Sequence, residues 1–145
     1  MQVTALRSGT VIDHLGRGTA LRTLRLLALD SETTVLTGIN LPSAKYGQKD
    51  LIKVEGRELT DEEINKVALL SPQASLSIIR DYKVVRKIDP EIPDEIAGLI
   101  RCVNPACVTQ DPAIDPHFFT ESRVPLKLRC RYCERSFLQE EIDFL

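Results

Sequence analysis

Four cysteines fall as Cys102-Val-Asn-Pro-Ala-Cys107, then 22 residues, then Cys130-Arg-Tyr-Cys133, and none stands before residue 100. Two close pairs on separate turns can set four sulfurs tetrahedrally about one ion at about 2.3 Å, the geometry of structural zinc. Four thiolates close the coordination sphere and leave no position for water. The spacing therefore points to one structural Zn2+ per chain, with Cys102, Cys107, Cys130 and Cys133 as ligands. A disulfide pair or reduced core cysteines are the competing readings, and all-thiolate iron is chemically allowed. In a cytosolic chain, clustered cysteines are more often metal ligands than disulfides. His117 lies between the two pairs and reads as a solvated loop residue, because the thiols already suffice. Leu126 to Arg129 alternates into the second pair and Glu134 to Phe137 leaves it, as in a knuckle between two strands.

The cysteines also divide the chain. Residues 97–145 are too few to bury a sizeable core unaided, so a metal supplies the missing stability. Upstream, Ile88-Asp89-Pro90-Glu91-Ile92-Pro93 places two prolines within four residues, a stiff non-helical connection. The reading is one domain over 1–92 and a second over 97–145.

The first part alternates strand and helix patterns. Gln2 to Leu6 is a short strand candidate, and Gly9 to His14 resumes an extended β-branched run. Thr19 can cap a helix whose apolar stripe is Leu21, Leu24, Leu27 and Ala28. Thr33 to Ile39 reads as a strand, Asn40 to Ser43 as a turn, Ser43 to Gln48 as polar loop, and Asp50 to Glu55 as a third strand. Thr60-Asp61-Glu62-Glu63 is a capping box opening a helix buried through Ile64, Val67, Ala68, Leu69 and Leu70. Ala74 to Arg80 and Tyr82 to Lys87 are two more strands about a turn near Asp81. The order β-α-β-β-α-β with an extra strand predicts an α+β chain. Its first part is a ferredoxin-like (split β-α-β) antiparallel sheet with both helices on one face, and a small zinc-bound β domain follows.

Composition narrows the function. Of 145 residues, 43% are hydrophobic and 28% charged, which excludes collagenous and fully disordered chains. No apolar run approaches the roughly 18–20 residues that cross a bilayer, and the first residues lack a signal-peptide core, so a cytoplasmic chain is expected. Charge is balanced, with 19 Lys and Arg against 21 Asp and Glu. A zinc-knuckle nucleic-acid-binding module is the alternative, with Arg123, Lys127, Arg129, Arg131 and Arg135 near Cys130. Phosphate neutralisation needs a basic excess, and residues 97–145 carry 6 basic against 7 acidic side chains. No nucleic-acid and no membrane partner is expected. A nucleophile–base constellation is also missing: the chain has two histidines and no Gly-x-Ser-x-Gly. Lys53, Lys87 and Asp13 read either as a solvated outer sheet face or as a site for a small anionic ligand.

Several fragments occur together and in order. They are Gly9-Thr10-Val11-Ile12-Asp13-His14, Leu41-Pro42-Ser43, Lys49-Asp50-Leu51-Ile52-Lys53, Ala68-Leu69, Pro72-Gln73-Ala74 and Cys130-Arg-Tyr-Cys133-Glu134. With the four-cysteine spacing, this set closely resembles the regulatory-chain family of aspartate carbamoyltransferase, over about residues 2 to 140. The resemblance implies a non-catalytic subunit of de novo pyrimidine biosynthesis. Its ferredoxin-like domain binds nucleoside triphosphates (CTP, ATP), and its zinc domain docks on the catalytic chain. It further implies a homodimer through the N-terminal domain, within an assembly of two catalytic trimers and three regulatory dimers.

Carried onto this chain, the family's nucleotide pocket falls on Val3, Leu6, Val11, Asp13, His14, Leu51, Lys53, Ser77, Ile79, Tyr82, Val84 and Lys87. The resemblance implies that main-chain groups near Leu6 and Tyr82 read the base and that Asp13 and Lys53 hold ribose and base. It likewise implies that Lys87 and His14 meet the phosphates. Strict alternation sets Lys87 on the face opposite Tyr82 and Val84, so contact with phosphate requires a bulge in that strand. Ser77 stands where bacterial members commonly carry asparagine, and the stretch before Val3 is brief. Asn104, Tyr132 and Glu134 match positions near the family's contact with the catalytic chain, where Ala106 replaces another asparagine.

Overall fold

The computed structural model describes residues 5–145, and the chain divides into two units, residues 1–91 and 92–145. In the first unit the elements are β1 (Gly9–Leu15), α1 (Ala20–Leu27), β2 (Val35–Ser43), β3 (Gly47–Glu55), α2 (Asp61–Leu70), β4 (Ser75–Arg80) and β5 (Lys83–Ile88). The strands form one antiparallel sheet in the order β2-β3-β1-β4-β5. The first four strands have the ferredoxin-like arrangement, and β5 adds to the β4 edge. Of the strand expected over Gln2–Leu6, residues 2–4 lie outside the described residues, while Ala5 and Leu6 are in no strand.

Alternation sorts the sheet into two faces. Ile12, Ile52, Val54 and Leu76 point to one side and join Leu15, Ala20, Leu27, Ile64 and Val67 in a single core. Burying each such Leu or Ile is worth about 1.5–3 kcal/mol. The period of two leaves Val11, Lys53, Ser77 and Ile79 on the other face. Gly9 begins β1 at φ 140°, where a Cβ would overlap the Val54 carbonyl oxygen, so only glycine lets β1 and β3 close there.

The helices differ in how their ends are held. At α2, Thr60 Oγ1 accepts from the Glu63 amide at 3.3 Å, and the Glu63 carboxylate accepts from the Thr60 amide at 3.0 Å. At α1, Thr19 makes no side-chain cap; its hydroxyl donates to the Gly16 carbonyl instead. The cap is Asp50, fully buried on β3, whose Oδ2 accepts from the Ala20 amide at 3.0 Å. Thr19 is the N-cap position as expected, but the buried face of α1 is Ala20, Thr23 and Leu27, and Leu21 of the expected stripe is exposed.

Three irregularities depart from simple alternation. The segment Asn40–Ser43 is strand rather than turn: β2 runs through it, with a register shift between Gly38 and Leu41 and Asn40 at φ 59°. β1 shifts register between Ile12 and Leu15, with His14 at φ 55°. β5 shifts between the partners of Ile78 and Ile79, so Val85 is an extra residue between Val84 and Arg86.

The second unit contains β6 (Glu95–Ala97), β7 (Ile100–Arg101), β8 (His117–Arg123), β9 (Leu126–Cys130), β10 (Ser136–Leu138) and β11 (Asp143–Phe144). One sheet has the order β10-β9-β8-β6, and β11 pairs with β7. Its buried side chains include Ile96, Ile100, Phe118, Leu126, Leu128 and Ile142. Ile92 is also buried, and its carbonyl accepts from the Arg123 guanidinium, which reaches the Asp94 carboxylate as well. Among the described residues no helix is long and apolar enough to cross a membrane.

Candidate functional site

The open face of the first sheet gathers residues from four strands into one row. Lys53 pairs with Val11, Val11 with Ser77, and Ser77 with Lys87. The extra residue at Val85 makes this row: Val84 pairs with Ile79 and Lys87 with Ser77, so both lie on the open face despite their odd spacing. Three strand spacings separate the Lys53 and Lys87 backbones, roughly 14 Å. Leu51 and Ile79 are buried yet stand outside the helix-side core, and they floor this face.

At one end of the face, Leu6, Lys53 and Tyr82 line a cleft of about 340 Å³. The Tyr82 amide donates to the Arg7 carbonyl at 2.8 Å, which ties the β4–β5 turn to the segment before β1. Asp81 and Tyr82 both have positive φ, so Tyr82 belongs to the turn and not to the strand. Thr34, Val35, Leu36 and Glu55 also line the cleft. Sequence reasoning missed them because nothing marks them chemically; the pairing of Leu36 with Lys53 was the available signal. Val3 lies outside the described residues.

The other end holds Asp13 and His14. Asp13 accepts from Lys49 Nζ at 2.8 Å and from the His14 amide at 2.7 Å. Burial works against its carboxylate, but those hydrogen bonds and the charges of Lys49 and His14 outweigh it and hold the group below its ordinary value. His14 Nδ1 lies 3.0 Å from Ser75 Oγ, and Tyr46 meets the ring edge-on at 5.8 Å between centroids. The β1 bulge at His14 turns Leu15 back into the core while leaving Asp13 on the open side. Asp13, His14, Ser77 and Lys87 do not line the cleft; they share its face of the sheet.

In the second unit the four thiols converge. Cys102 follows β7, Cys107 precedes a single 3-10 turn (Val108–Gln110), Cys130 ends β9, and Cys133 closes the turn before β10. All four sulfurs lie within 4.8 Å of one another. Cys102 and Cys133 are 3.7 Å apart, and Cys107 and Cys130 are 3.8 Å apart. Ligand bonds of about 2.3 Å in a tetrahedron put sulfurs about 3.8 Å apart, so the spacing fits a metal with short bonds to sulfur.

The thiols are electrostatically unequal. Burial pushes Cys102 up, with the Asn104 amide opposing it only in part, and burial likewise raises Cys130. At Cys107 burial is outweighed by hydrogen bonds from Thr109, Cys130 and Cys102, and the thiol falls. At Cys133 burial is outweighed by the Arg135 amide, the Asn104 side chain and the neighbouring thiols, which bring it to about 7. Cys107 and Cys133 are thus shifted toward the thiolate, the form a metal requires.

Of the three expected partner-contact residues, Tyr132 and Glu134 are exposed beside Cys133. Asn104 is buried: its Oδ1 accepts from the Ala106 amide at 3.1 Å, and its side chain bonds Cys133. It serves the cysteine loop. His117 is not a solvated loop residue but the first residue of β8. Its Nε2 is buried without a hydrogen bond, 3.5 Å from the Glu95 carboxylate; pairing with Ala97 sets His117 on the face opposite Ile96 and Phe118, where its ring packs against Phe119.

Comparison with known proteins gives one family. A model described as the allosteric domain of the aspartate carbamoyltransferase regulatory chain matches residues 1–91, and one described as that chain's metal binding domain matches residues 94–143. A relative from Pyrococcus abyssi (strain GE5 / Orsay), named aspartate carbamoyltransferase regulatory chain, is 49% identical over 145 residues. That match covers 98% of this chain and 95% of the relative. Relatives of the same name from Thermococcus kodakarensis and Methanocaldococcus jannaschii are each 46% identical, again covering 98% of this chain and 95% of theirs. The metal-binding domain of the family coincides with the four-thiol cluster, and the family inferred from the ordered sequence fragments is the one found. The chain belongs to the aspartate carbamoyltransferase regulatory chain family, as a regulatory rather than a catalytic subunit.

Proposed function

We propose that the chain binds nucleoside triphosphates, CTP and ATP, on the open face of its N-terminal sheet and thereby controls the catalytic chain of aspartate carbamoyltransferase in pyrimidine biosynthesis. The observation that carries this reading is the register row from Lys53 through Val11 and Ser77 to Lys87. A nucleotide laid along it puts its base in the cleft near Leu6 and Tyr82, its ribose near Lys53 and Asp13, and its phosphates toward Lys87 and His14. Lys49 pairs with Asp13 at 2.8 Å and so offsets its negative charge on the face where an anionic ligand would lie.

Such a ligand shifts the enzyme only by binding one quaternary state more tightly than the other, through a coupling of about 1–3 kcal/mol. The second unit docks on the catalytic chain around Tyr132 and Glu134. Zinc is the metal of the thiol centre, held by Cys102, Cys107, Cys130 and Cys133, and it supplies a cross-link between two loops of a small unit. Two copies of the chain associate through the first unit; the β2 edge of the sheet, with Ile39 exposed, is open to a partner strand.

The test is calorimetric titration of CTP and ATP into the chain assembled with its catalytic partner. Lys53→Ala and Lys87→Ala weaken both nucleotides while leaving assembly intact. Unchanged titrations in both variants refute the site.

A further inference from the structure

Each thiol of the metal centre receives a backbone N–H from just beyond it: Asn104 to Cys102, Thr109 to Cys107, Tyr132 and Cys133 to Cys130, and Arg135 to Cys133. Residues of almost any type can make such bonds. Thr109 adds one that depends on its side chain, for its Oγ1 donates to Cys107 Sγ at 3.0 Å. The 3-10 turn that carries Thr109 is itself anchored. Gln110 Nε2 donates to the Cys102 carbonyl at 3.0 Å and to the Asn104 carbonyl at 2.8 Å, tying the turn to the loop of the first cysteine. The Gln110 amide also donates to the Cys107 carbonyl at 3.0 Å. The hydroxyl is thus aimed at one sulfur by a turn fixed at both sides.

Four thiolates around a divalent cation leave a net charge of −2 in a half-dry site. Every donor to sulfur spreads that charge and fixes the direction of the lone pair left for the metal. Donors one shell removed from a metal are typically worth 10–100-fold in its affinity. We propose that the Thr109 hydroxyl is a positioning residue for the metal, holding Cys107 in its ligating direction so that the chain retains zinc. This rests on the reading of the thiol centre as a zinc site.

The test uses the full chain loaded with Zn2+, with zinc content measured first and transfer to a competing chelator followed at fixed pH. Thr109→Val keeps the shape and removes the hydroxyl; Thr109→Ser keeps the hydroxyl and removes the methyl. The expected result is a loss of about 10–100-fold in zinc affinity for T109V, with T109S close to the parent chain. Far-UV circular dichroism of the zinc-loaded forms stays superimposable. If T109V does not accumulate as folded protein, Thr109→Ala read against T109S makes the same comparison. Equal retention in T109V and the parent overturns the proposal, and so does a T109S variant as leaky as T109V, which would show that keeping the hydroxyl does not keep the metal. A parent chain that takes up no zinc overturns the zinc reading itself.

Discussion

Asp50 holds Ala20: a fully buried carboxylate on β3 accepts the first amide of α1 at 3.0 Å, across thirty residues of sequence. Its other oxygen accepts the Asn40 amide at 2.9 Å, at the irregularity of β2. One side chain therefore fixes where the helix begins and where the edge strand bends. Asp50→Ala leaves the buried Ala20 amide without a partner, at about 1–3 kcal/mol, and releases the amide of the exposed Asn40 to solvent. Asp50→Asn keeps one oxygen and costs less. Urea unfolding of the two variants orders them; equal midpoints for D50A and the parent chain would contradict the arrangement.

Gly9 makes a second prediction at the same sheet. Its φ of 140° and the approach of the Val54 carbonyl exclude a side chain, whereas Gly18 at φ 82° opens on empty space. Gly9→Ala therefore destabilises by about 3 kcal/mol, from backbone strain together with parting of β1 and β3. Gly18→Ala carries the strain alone and costs less. Thermal unfolding of the pair measures the difference, and a G18A variant as damaged as G9A would remove the steric explanation.

These two residues also mark what a sequence discloses. The thiol centre was legible because its ligands lie in two short local patterns, and the capping box at Thr60 was legible because both partners sit within four residues. The cap of α1 was not: Thr19 has the right chemistry in the right place, but Asp50 arrives from a neighbouring strand and takes the amide. Strand ends were hidden by non-glycine residues at positive φ, His14, Asn40 and Tyr82, each of which shifts register or turns the chain without a glycine to announce it. The open face was half legible. Lys53 and Ser77 follow from alternation, but Lys87 shares their side only because Val85 is extra, and no pattern in Lys83–Ile88 marks that residue.

The Asp13–Lys49 pair predicts a pH dependence. Asp13 lies below its ordinary value of 3.8 in the folded chain, so folding favours its ionised form. The resulting stability is fully present above that value and is lost as pH falls through the lower folded one. Asp13→Asn removes this contribution. Between pH ~6 and pH ~2.5 the parent chain should lose stability relative to D13N, with the gap closing at the acid end. Unfolding curves that stay parallel over that range would show that the pair is not stabilising the sheet.

Metal removal should divide the chain. A native domain is stable by roughly 0.05–0.15 kcal/mol per residue, which for a unit the size of residues 92–145 is about 3–8 kcal/mol. Structural zinc binds comparable small folds with an apparent 10–16 kcal/mol, roughly, so metal binding exceeds the whole margin. The unit has no α-helix among its described elements, and β6, β7, β10 and β11 are each two or three residues long. Without the cation, four sulfurs within 4.8 Å of one another lose the ion that links their loops. The first unit has its own core and no thiols. Chelation followed by hydrogen exchange should therefore strip protection from β8 and β9 while β1, β3 and β4 keep theirs. Protection of β8 and β9 that survives stoichiometric removal of the metal would show that the second unit folds on its apolar side chains alone.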